Sequence, residues 1–149
     1  MRGGVDGVRI RPMTAADFDA VDALWRATDG IGLGVGDDRV GVAAFLERNE
    51  SLSLVAVRGD VLVGAVMCGH DGRRGAVYHL AVVPSERGLG LGRRLVDHCL
   101  DGLRVAGIGK ANIVVYAANA DGLAFWRATG WTPRDDLVLM QRVVDGPQP

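Results

Sequence analysis

The chain has 149 residues, of which 48% are hydrophobic and 23% are charged, and its formal net charge at pH 7 is −1. This composition indicates one globular domain with a hydrophobic core, and the near-zero charge gives no reason to expect nucleic acid or an anionic membrane surface as a partner. No apolar run approaches the ~20 residues of a transmembrane helix, and the first residues lack a signal-peptide core. The two cysteines, Cys68 and Cys99, have neither metal-binding nor redox spacing, so we expect a cytoplasmic protein with reduced thiols and no metal site.

The first elements predicted are a strand and a helix. Val8 to Arg11 is a β-prone run that Pro12 stops. Thr14, followed three residues later by Asp17, predicts a helix start, because threonine caps a helix and an acidic residue in the first turn favours its dipole. Apolar residues then recur at helical spacing: Phe18, Val21, Leu24 and Trp25.

A loop and a second helix come next. Thr28 to Gly41 holds five glycines and three aspartates, which predicts a mobile loop. The helix after it carries Val42, Phe45 and Leu46 on one face.

The middle of the chain predicts three strands. Leu52 to Val57 and Val61 to Met67 are joined by a tight turn at 58–60. A second turn, at 71–75, leads into a strand from Ala76 to Val83.

The last part of the chain predicts a helix from Gly90 to Val105, a strand from Ala111 to Tyr116, a helix from Asn119 to Thr129 and a final strand pair within Trp131 to Val143. The element order is therefore β-αα-βββ-α-β-α-ββ. One βαβ crossover inside an otherwise antiparallel series predicts an α/β fold with a mixed sheet. We expect a single domain over residues 1–149, with its core at about 8–143.

A glycine-rich turn joins the third of the middle strands to the long helix. This order presents a row of backbone N–H groups at a helix N-terminus, which suits a phosphate or pyrophosphate. Glycines at 88, 90 and 92 remove side chains where phosphates would approach the backbone. Arg87, Arg93 and Arg94 bring positive charge to the same end. The sequence therefore predicts a site for an anionic ligand.

Two common glycine loops do not fit this segment. A Walker A loop needs G-x-x-x-x-G-K-S/T, and neither lysine nor a hydroxyl residue follows Gly92. A dinucleotide fingerprint needs G-x-G-x-x-G and an acidic residue about twenty positions later, where Ile108, Gly109 and Lys110 stand. A turn that only connects strand and helix is the plain alternative.

The spacing from Arg87 to Gly92 matches R/Q-x-x-G-x-G/A after a strand that ends in Val-x-Pro. This pattern resembles the acetyl-CoA signature of the GNAT superfamily of N-acetyltransferases.

A second motif supports this resemblance. Asn119 to Trp131 is similar to the superfamily segment N-x-x-A-x-x-F/L-Y-x-x-x-G-F, offset by about a residue near its start. The element order is that of the GNAT fold, and the resemblance covers Val8 to Val143. The turn D-G-R-R-G before the third middle strand is most similar to small stand-alone bacterial acetyltransferases.

The resemblance implies acetyl-CoA as the acyl donor. The pantetheine arm would pair with the backbone of the strand at 80–82, and an N–H of this strand would bind the thioester oxygen. Backbone N–H groups at 87–92 would hold the pyrophosphate. Asn119 would contact the donor or cap its helix. The implied donor-binding residues are Leu80, Ala81, Val82, Arg87, Gly88, Leu89, Gly90, Leu91, Gly92, Arg93 and Asn119.

The catalytic groups are less clearly marked. Where this chain has Trp126, many relatives have a tyrosine that protonates the leaving thiolate. The indole N–H of Trp126 is a poor acid, so its alternative role is packing. Tyr78 lies two residues before Leu80 and so is expected to share its face of the strand, and Tyr116 lies on the neighbouring strand, so both are candidates for the base. His79 is expected on the opposite face. A water chain to solvent is the alternative base.

The resemblance implies direct acetyl transfer to a primary amine in a ternary complex. The loop Thr28 to Gly41 would border the acceptor, with aspartates at 29, 37 and 38 to attract an amine and Trp25 or Phe45 as an apolar wall. The acceptor is a small-molecule or peptide amine, and a homodimer stays open. Three alternatives remain: acetylation of protein N-termini, a non-catalytic acyl-CoA sensor, and a nucleotide-binding domain. Val114 and Val115 disfavour the first, because enzymes that acetylate protein N-termini often have an acidic residue on this strand.

Overall fold

The computed structural model describes residues 7–147. Its main elements are β1 (Val8–Pro12), α1 (Phe18–Arg26), α2 (Arg39–Arg48), β2 (Leu54–Arg58), β3 (Val61–His70), β4 (Gly75–Val82), α3 (Leu91–Val105), β5 (Ala111–Asn112) and α4 (Ala120–Ala128). Short 3-10 turns lie at Ala15–Asp17 and Pro84–Glu86. None of the helices within residues 7–147 is long and apolar enough to cross a membrane.

The chain divides into two compact units. The first ends at Tyr116 and contains the sheet and the first three helices, and the second begins at Ala117 and contains α4. The single domain expected over residues 1–149 stays a prediction, and residues 1–6 and 148–149 lie outside the described part of the chain.

The five strands form one mixed sheet in chain order. β1, β2, β3 and β4 pair with their chain neighbours in antiparallel fashion, and β5 pairs parallel to β4 after the crossover through α3. The predicted mixed sheet is confirmed. The tight turn between β2 and β3 is also present, with Gly59 at a φ of +61°.

Different helices cover the two faces of the sheet. On one face, Val21 and Trp25 of α1 and Val42 of α2 share a buried cluster with strand residues. The strand residues in this cluster are Val55, Val57, Ala65, Met67 and Ala81. On the other face α3 packs so closely that a Cβ on Gly64 would lie 3.1 Å from Leu95 Cδ1. Because full burial of one large apolar side chain contributes ~1.5–3 kcal/mol, packing on both faces fixes β3 and β4.

The starts of the first two helices follow the expected capping chemistry. Asp17 Oδ2 accepts a hydrogen bond from the Thr14 backbone N at 2.8 Å. Asp38 Oδ1 accepts one from Gly41 N at 2.8 Å, so α2 begins inside the segment that was predicted as loop. Both bonds satisfy backbone groups that a helix start would otherwise leave without a partner.

Two predicted strand regions are wrong in extent. β5 ends at Asn112, whereas the strand was expected to run to Tyr116, and its pairing with β4 covers only Gly75 and Ala76. The final strand pair expected within 131–143 is absent from these described residues. The apolar side chains at 137–140 are 62–87% exposed. No strand of the described residues pairs with this run, so its apolar side chains stay exposed.

Candidate active site

The glycine loop lies between the end of β4 and the start of α3. Gly88 and Gly90 have φ values of +76° and +88°, which L-residues with a side chain rarely adopt. A Cβ on either glycine would meet no atom within 4 Å. Space is therefore open above both glycines, and their backbone conformation, not local crowding, explains why glycine stands there.

The N-terminus of α3 faces this loop without a side-chain cap. Gly90 occupies the N-cap position, and the first turn carries no acidic residue. The helix runs for 15 residues, so its first N–H groups and its dipole favour an anion. Arg93 and Arg94 follow in the first turn, and they add positive charge. This arrangement suits an anion, and binding of one here stays a prediction.

A buried ion pair anchors the beginning of the loop. Glu86 is 7% exposed, and its Oε1 and Oε2 accept hydrogen bonds from Arg58 Nε at 2.7 Å and Nη2 at 3.0 Å. These hydrogen bonds lower the pKa of Glu86 and raise that of Arg58. The pair ties the end of β2 to the residue before Arg87. Sequence reasoning missed Glu86, and the only signal was one carboxylate in an otherwise basic segment.

β4 has an open edge where it leads into the loop. Val83 N donates to Val63 O of β3 at 2.9 Å, so the peptide groups of Val82 point to the opposite edge. There Val82 O accepts a hydrogen bond from Arg87 Nε at 2.8 Å. Since β5 pairs no further than Ala76, no strand within residues 7–147 pairs with this edge of the segment 77–82, and the Val82 carbonyl there is bound by a side chain. The exposed edge required at Leu80, Ala81 and Val82 is therefore present.

A β-bulge interrupts β4 just before this edge. Two steps along β3, from Ala65 to Met67, match three steps along β4, from Ala81 to Tyr78. His79 lies in the bulge with a φ of +53°. Because of the extra residue, Tyr78 and Ala81 are opposite strand residues of the same buried cluster, whereas regular alternation would put them on different faces.

Because of the bulge, the side chain of His79 points to the face opposite to the one expected. Its Nε2 lies 3.0 Å from Asp37 Oδ1, and its ring contacts Trp25 edge-on at a centroid distance of 5.0 Å. Trp25 Nε1 also donates to the His79 carbonyl at 3.2 Å. The His79 side chain therefore lies on the side of α1, together with Tyr78, and its placement on the opposite face was wrong.

The loop after α1 supplies the partner of His79. Asp37 Oδ2 accepts a hydrogen bond from Gly34 N at 2.9 Å, which leaves Oδ1 for the imidazole. The side chains of His79 and Asp37 are 18% and 20% exposed. From the sequence, Asp37 is predicted only to attract an amine. The bond to His79 could not be read from the sequence, because it depends on the bulge.

The two tyrosine candidates lie in the same unit and are both exposed. Tyr78 contacts Phe45 edge-on at 6.0 Å between ring centroids. Tyr116 packs on the loop, where a Cβ on Gly32 would overlap its hydroxyl. The loop and these aromatic rings therefore form a wall on the α1 side of β4.

Asn119 and Trp126 belong to the second unit. Asn119 Oδ1 accepts a hydrogen bond from Gly122 N at 2.9 Å and caps α4, so the capping role is confirmed. Trp126 contacts Phe125 and Trp131 edge-on, with centroid distances of 5.1 and 5.3 Å. These contacts support a packing role for Trp126 within its unit. A role for either residue toward the donor stays a prediction.

Comparisons with known proteins identify relatives of this chain. A family model described as "Acetyltransferase (GNAT) family" matches residues 19–131. An acetyltransferase of Yersinia enterocolitica is 30% identical over 137 residues, which are 92% of this chain and 96% of that protein.

Solved structures of the same fold are more distant in sequence. An aminoglycoside acetyltransferase from an uncultured soil metagenomic sample, in complex with sisomicin, has a TM-score of 0.74 at 17% identity and covers 95% of this chain and 99% of its own. PaiA N-acetyltransferase from Thermoplasma acidophilum, in complex with coenzyme A, has a TM-score of 0.74 at 18% identity and covers 86% of this chain and 91% of its own. At these identities the likeness concerns the fold.

Proposed function

Because the chain belongs to the acetyltransferase (GNAT) family, we propose that it moves an acetyl group from acetyl-CoA to a primary amine by direct attack in a ternary complex. One observation carries the proposal: the open edge of β4 leads directly across Gly88 and Gly90 to the uncapped N-terminus of α3. An extended arm that ends in a pyrophosphate requires these two features in this order.

The strand edge and the glycine loop fit the donor. The strand edge at 80–82 offers backbone groups to the pantetheine amides, in the manner of an added strand. The loop at 87–92 offers N–H groups to the pyrophosphate, with Arg93 close by, and the open space above the glycines admits its oxygens. A strand N–H that binds the thioester oxygen would stabilise the negative charge that develops during attack.

The departing sulfur needs no special acid in this proposal. A coenzyme A thiol is acidic enough to leave as thiolate, and Trp126 makes aromatic contacts within its own unit. Cys68 and Cys99 are free and buried, which is consistent with work in the cytoplasm, where thiols stay reduced.

The acceptor is proposed to enter from the side of α1. Phe45, Tyr78 and Tyr116 provide aromatic surface there, whereas Trp25, also expected in this wall, is buried in the core. The solved structure in complex with sisomicin is that of an aminoglycoside acetyltransferase. A small amine is therefore the acceptor class we favour. A protein N-terminus is the second class to test.

The first experiment measures donor binding. Thermal unfolding of the protein is followed with acetyl-CoA, succinyl-CoA, free CoA, ATP and NAD. We expect the CoA compounds to raise the melting temperature and the two nucleotides to have little effect. Stronger protection by ATP or NAD would indicate a nucleotide-binding domain instead.

The second experiment measures transfer. Release of free CoA thiol is followed with 2-phenylethylamine, spermidine, kanamycin and an alanine-starting hexapeptide as acceptors. We expect release above the hydrolysis background with at least one small amine. Release with the hexapeptide alone would favour a protein N-terminal acetyltransferase. Donor binding without transfer to any of the four would favour a sensor and overturn the proposed function.

A further inference from the structure

We propose that His79 is the general base that deprotonates the acceptor amine, and that Asp37 is the residue that positions it. This inference rests on the proposed function. It names a proton acceptor that the family assignment leaves open.

The hydrogen bond to Asp37 decides which ring nitrogen can act. A carboxylate accepts hydrogen bonds, so the Nε2 that lies 3.0 Å from Asp37 Oδ1 must carry the hydrogen. Nδ1 then holds the lone pair of the neutral ring. Among the contacts of residues 7–147, Nδ1 has no partner, which leaves it free to take a proton from an amine or from a bridging water.

The bulge brings this ring to the reacting end of the strand. His79 immediately precedes Leu80, whose peptide group belongs to the edge proposed for the thioester, and neighbouring Cα atoms are only ~3.8 Å apart. Its ring faces the α1 side, where the acceptor is proposed to enter. The donor edge and the acceptor wall therefore meet at this residue.

The ring is held from three elements. Trp25 of α1 contacts the ring and donates a hydrogen bond to the backbone carbonyl of His79. Asp37 of the loop binds Nε2, and the Tyr78 ring of β4 lies 6.3 Å from the His79 ring between centroids. The titratable groups in contact with the ring among the described residues are thus Asp37 and Tyr78. A left-handed backbone conformation at a histidine persists only where the surroundings impose it, and such positions cluster at active sites.

The proton and electron changes balance. The incoming ammonium gives one proton to Nδ1, and the lone pair so released forms the bond to the thioester carbon. The C–S bond breaks and its electron pair leaves with sulfur. The second proton of the nitrogen reaches the thiolate through solvent. His79 returns its proton to water, so the net products are the amide, the CoA thiol and one proton.

The test compares variants that keep the bulge. Glycine and asparagine both adopt a positive φ readily, so His79→Gly and His79→Asn remove the base without a backbone penalty. We expect kcat/KM with acetyl-CoA and the best small amine to fall by ~10²-fold or more, and the pH profile of the rate to differ from that of the native protein. The rise in melting temperature with acetyl-CoA should stay unchanged.

Two further measurements separate chemistry from structure. Added imidazole should restore part of the His79→Gly rate, because it can occupy the space the ring leaves. Asp37→Asn should lower kcat while the KM for acetyl-CoA is unchanged. His98→Gln and Asp60→Asn, both at exposed positions outside the site, are the matched controls and should keep the native rate.

Three outcomes would overturn the inference. The first is that both His79 variants keep the native rate and pH profile while the native protein transfers acetyl groups. The second is that both variants lose the thermal shift with acetyl-CoA, which would show that His79 has a structural role and does not act as the base. The third is donor binding by the native protein without transfer to any amine, which overturns the proposed function as well and is seen before any variant is made.

Discussion

Glu86 is joined to Arg58 by two hydrogen bonds, at 2.7 Å to Nε and 3.0 Å to Nη2, and so connects the start of the glycine loop to the end of β2. The geometry is a bidentate guanidinium–carboxylate pair with the carboxylate buried, which is stronger and more directional than an exposed ion pair. The loop is thus fixed at one end by this pair and at the other by α3, whose Leu91 and Leu95 are buried. A rigid loop can bind phosphates without first paying an ordering cost.

Glu86→Gln is predicted to reduce stability and to change its dependence on pH. The pair lowers the pKa of Glu86 in the folded protein. Its stabilisation is therefore full above the unfolded pKa of a glutamate and is lost as the pH falls through the folded value. Urea unfolding between neutral pH and pH 3 should show this acid loss in the native protein and a smaller one in Glu86→Gln.

Asp136→Asn is the matched control, because Arg134 also lowers the pKa of Asp136 but the carboxylate is exposed. Solvent screens such a pair, so we expect little change at any pH. Equal effects of the two substitutions would mean that the Glu86 pair does not anchor the loop.

Gly90→Ala is predicted to weaken binding of acetyl-CoA by roughly tenfold or more. Alanine at a φ of +88° costs ~1–2 kcal/mol, and the loop would leave the conformation that aims its N–H groups at the pyrophosphate. The thermal shift with acetyl-CoA is the measurement. Gly109→Ala is the control, because its Cβ would also meet no atom within 4 Å but its φ is not positive. Unchanged binding by Gly90→Ala would show that the pyrophosphate does not bind at this loop.

Trp126→Tyr is predicted to leave turnover within about twofold of the native value. The leaving thiolate needs no acid in the proposed reaction, and Trp126 packs against Phe125 and Trp131. Steady-state thiol release at saturating acetyl-CoA is the assay. A large increase in turnover would show that thiolate protonation limits the native protein and that a hydroxyl at this position supplies it.

Ser51→Gly is predicted to raise the free energy of unfolding by roughly 0.5–1 kcal/mol. Ser51 is exposed and has a φ of +65°, a conformation that costs a side-chain-bearing residue more than it costs glycine. Ser85→Gly, at an exposed position without a positive φ, should lower stability by a few tenths of a kcal/mol instead. Chemical denaturation measures both, and a loss of stability in Ser51→Gly would contradict the backbone argument.

The element order up to α4 and the place of the glycine loop could be predicted because their signals are local. Thr14 and Asp17 start a helix by contacts within one turn, and Gly88 and Gly90 supply a backbone conformation that few other residues adopt. The fold and the proposed donor site follow from such signals together with the family resemblance.

The orientation of His79 could not be predicted, because it depends on how two strands pair. Regular alternation would place the side chains of Tyr78 and His79 on opposite faces of the sheet. A β-bulge, for which the sequence of β4 gives no signal, places both on the same face. The Arg58–Glu86 pair likewise joins segments that are distant in sequence. The final strand pair predicted within Trp131 to Val143 likewise depends on pairing, because a strand needs a neighbour and a face to bury.

The most direct test of the account is to follow the acetyl group itself. Acetyl-CoA labelled in its acetyl carbon is incubated with the protein and each of the four amines, and the label is traced by mass spectrometry. We predict labelled amide from at least one small amine, in amounts equal to the CoA thiol released, and a strong reduction with Gly90→Ala. Label that stays on CoA or appears only as acetate, with every amine and despite tight donor binding, would contradict the assignment as an N-acetyltransferase.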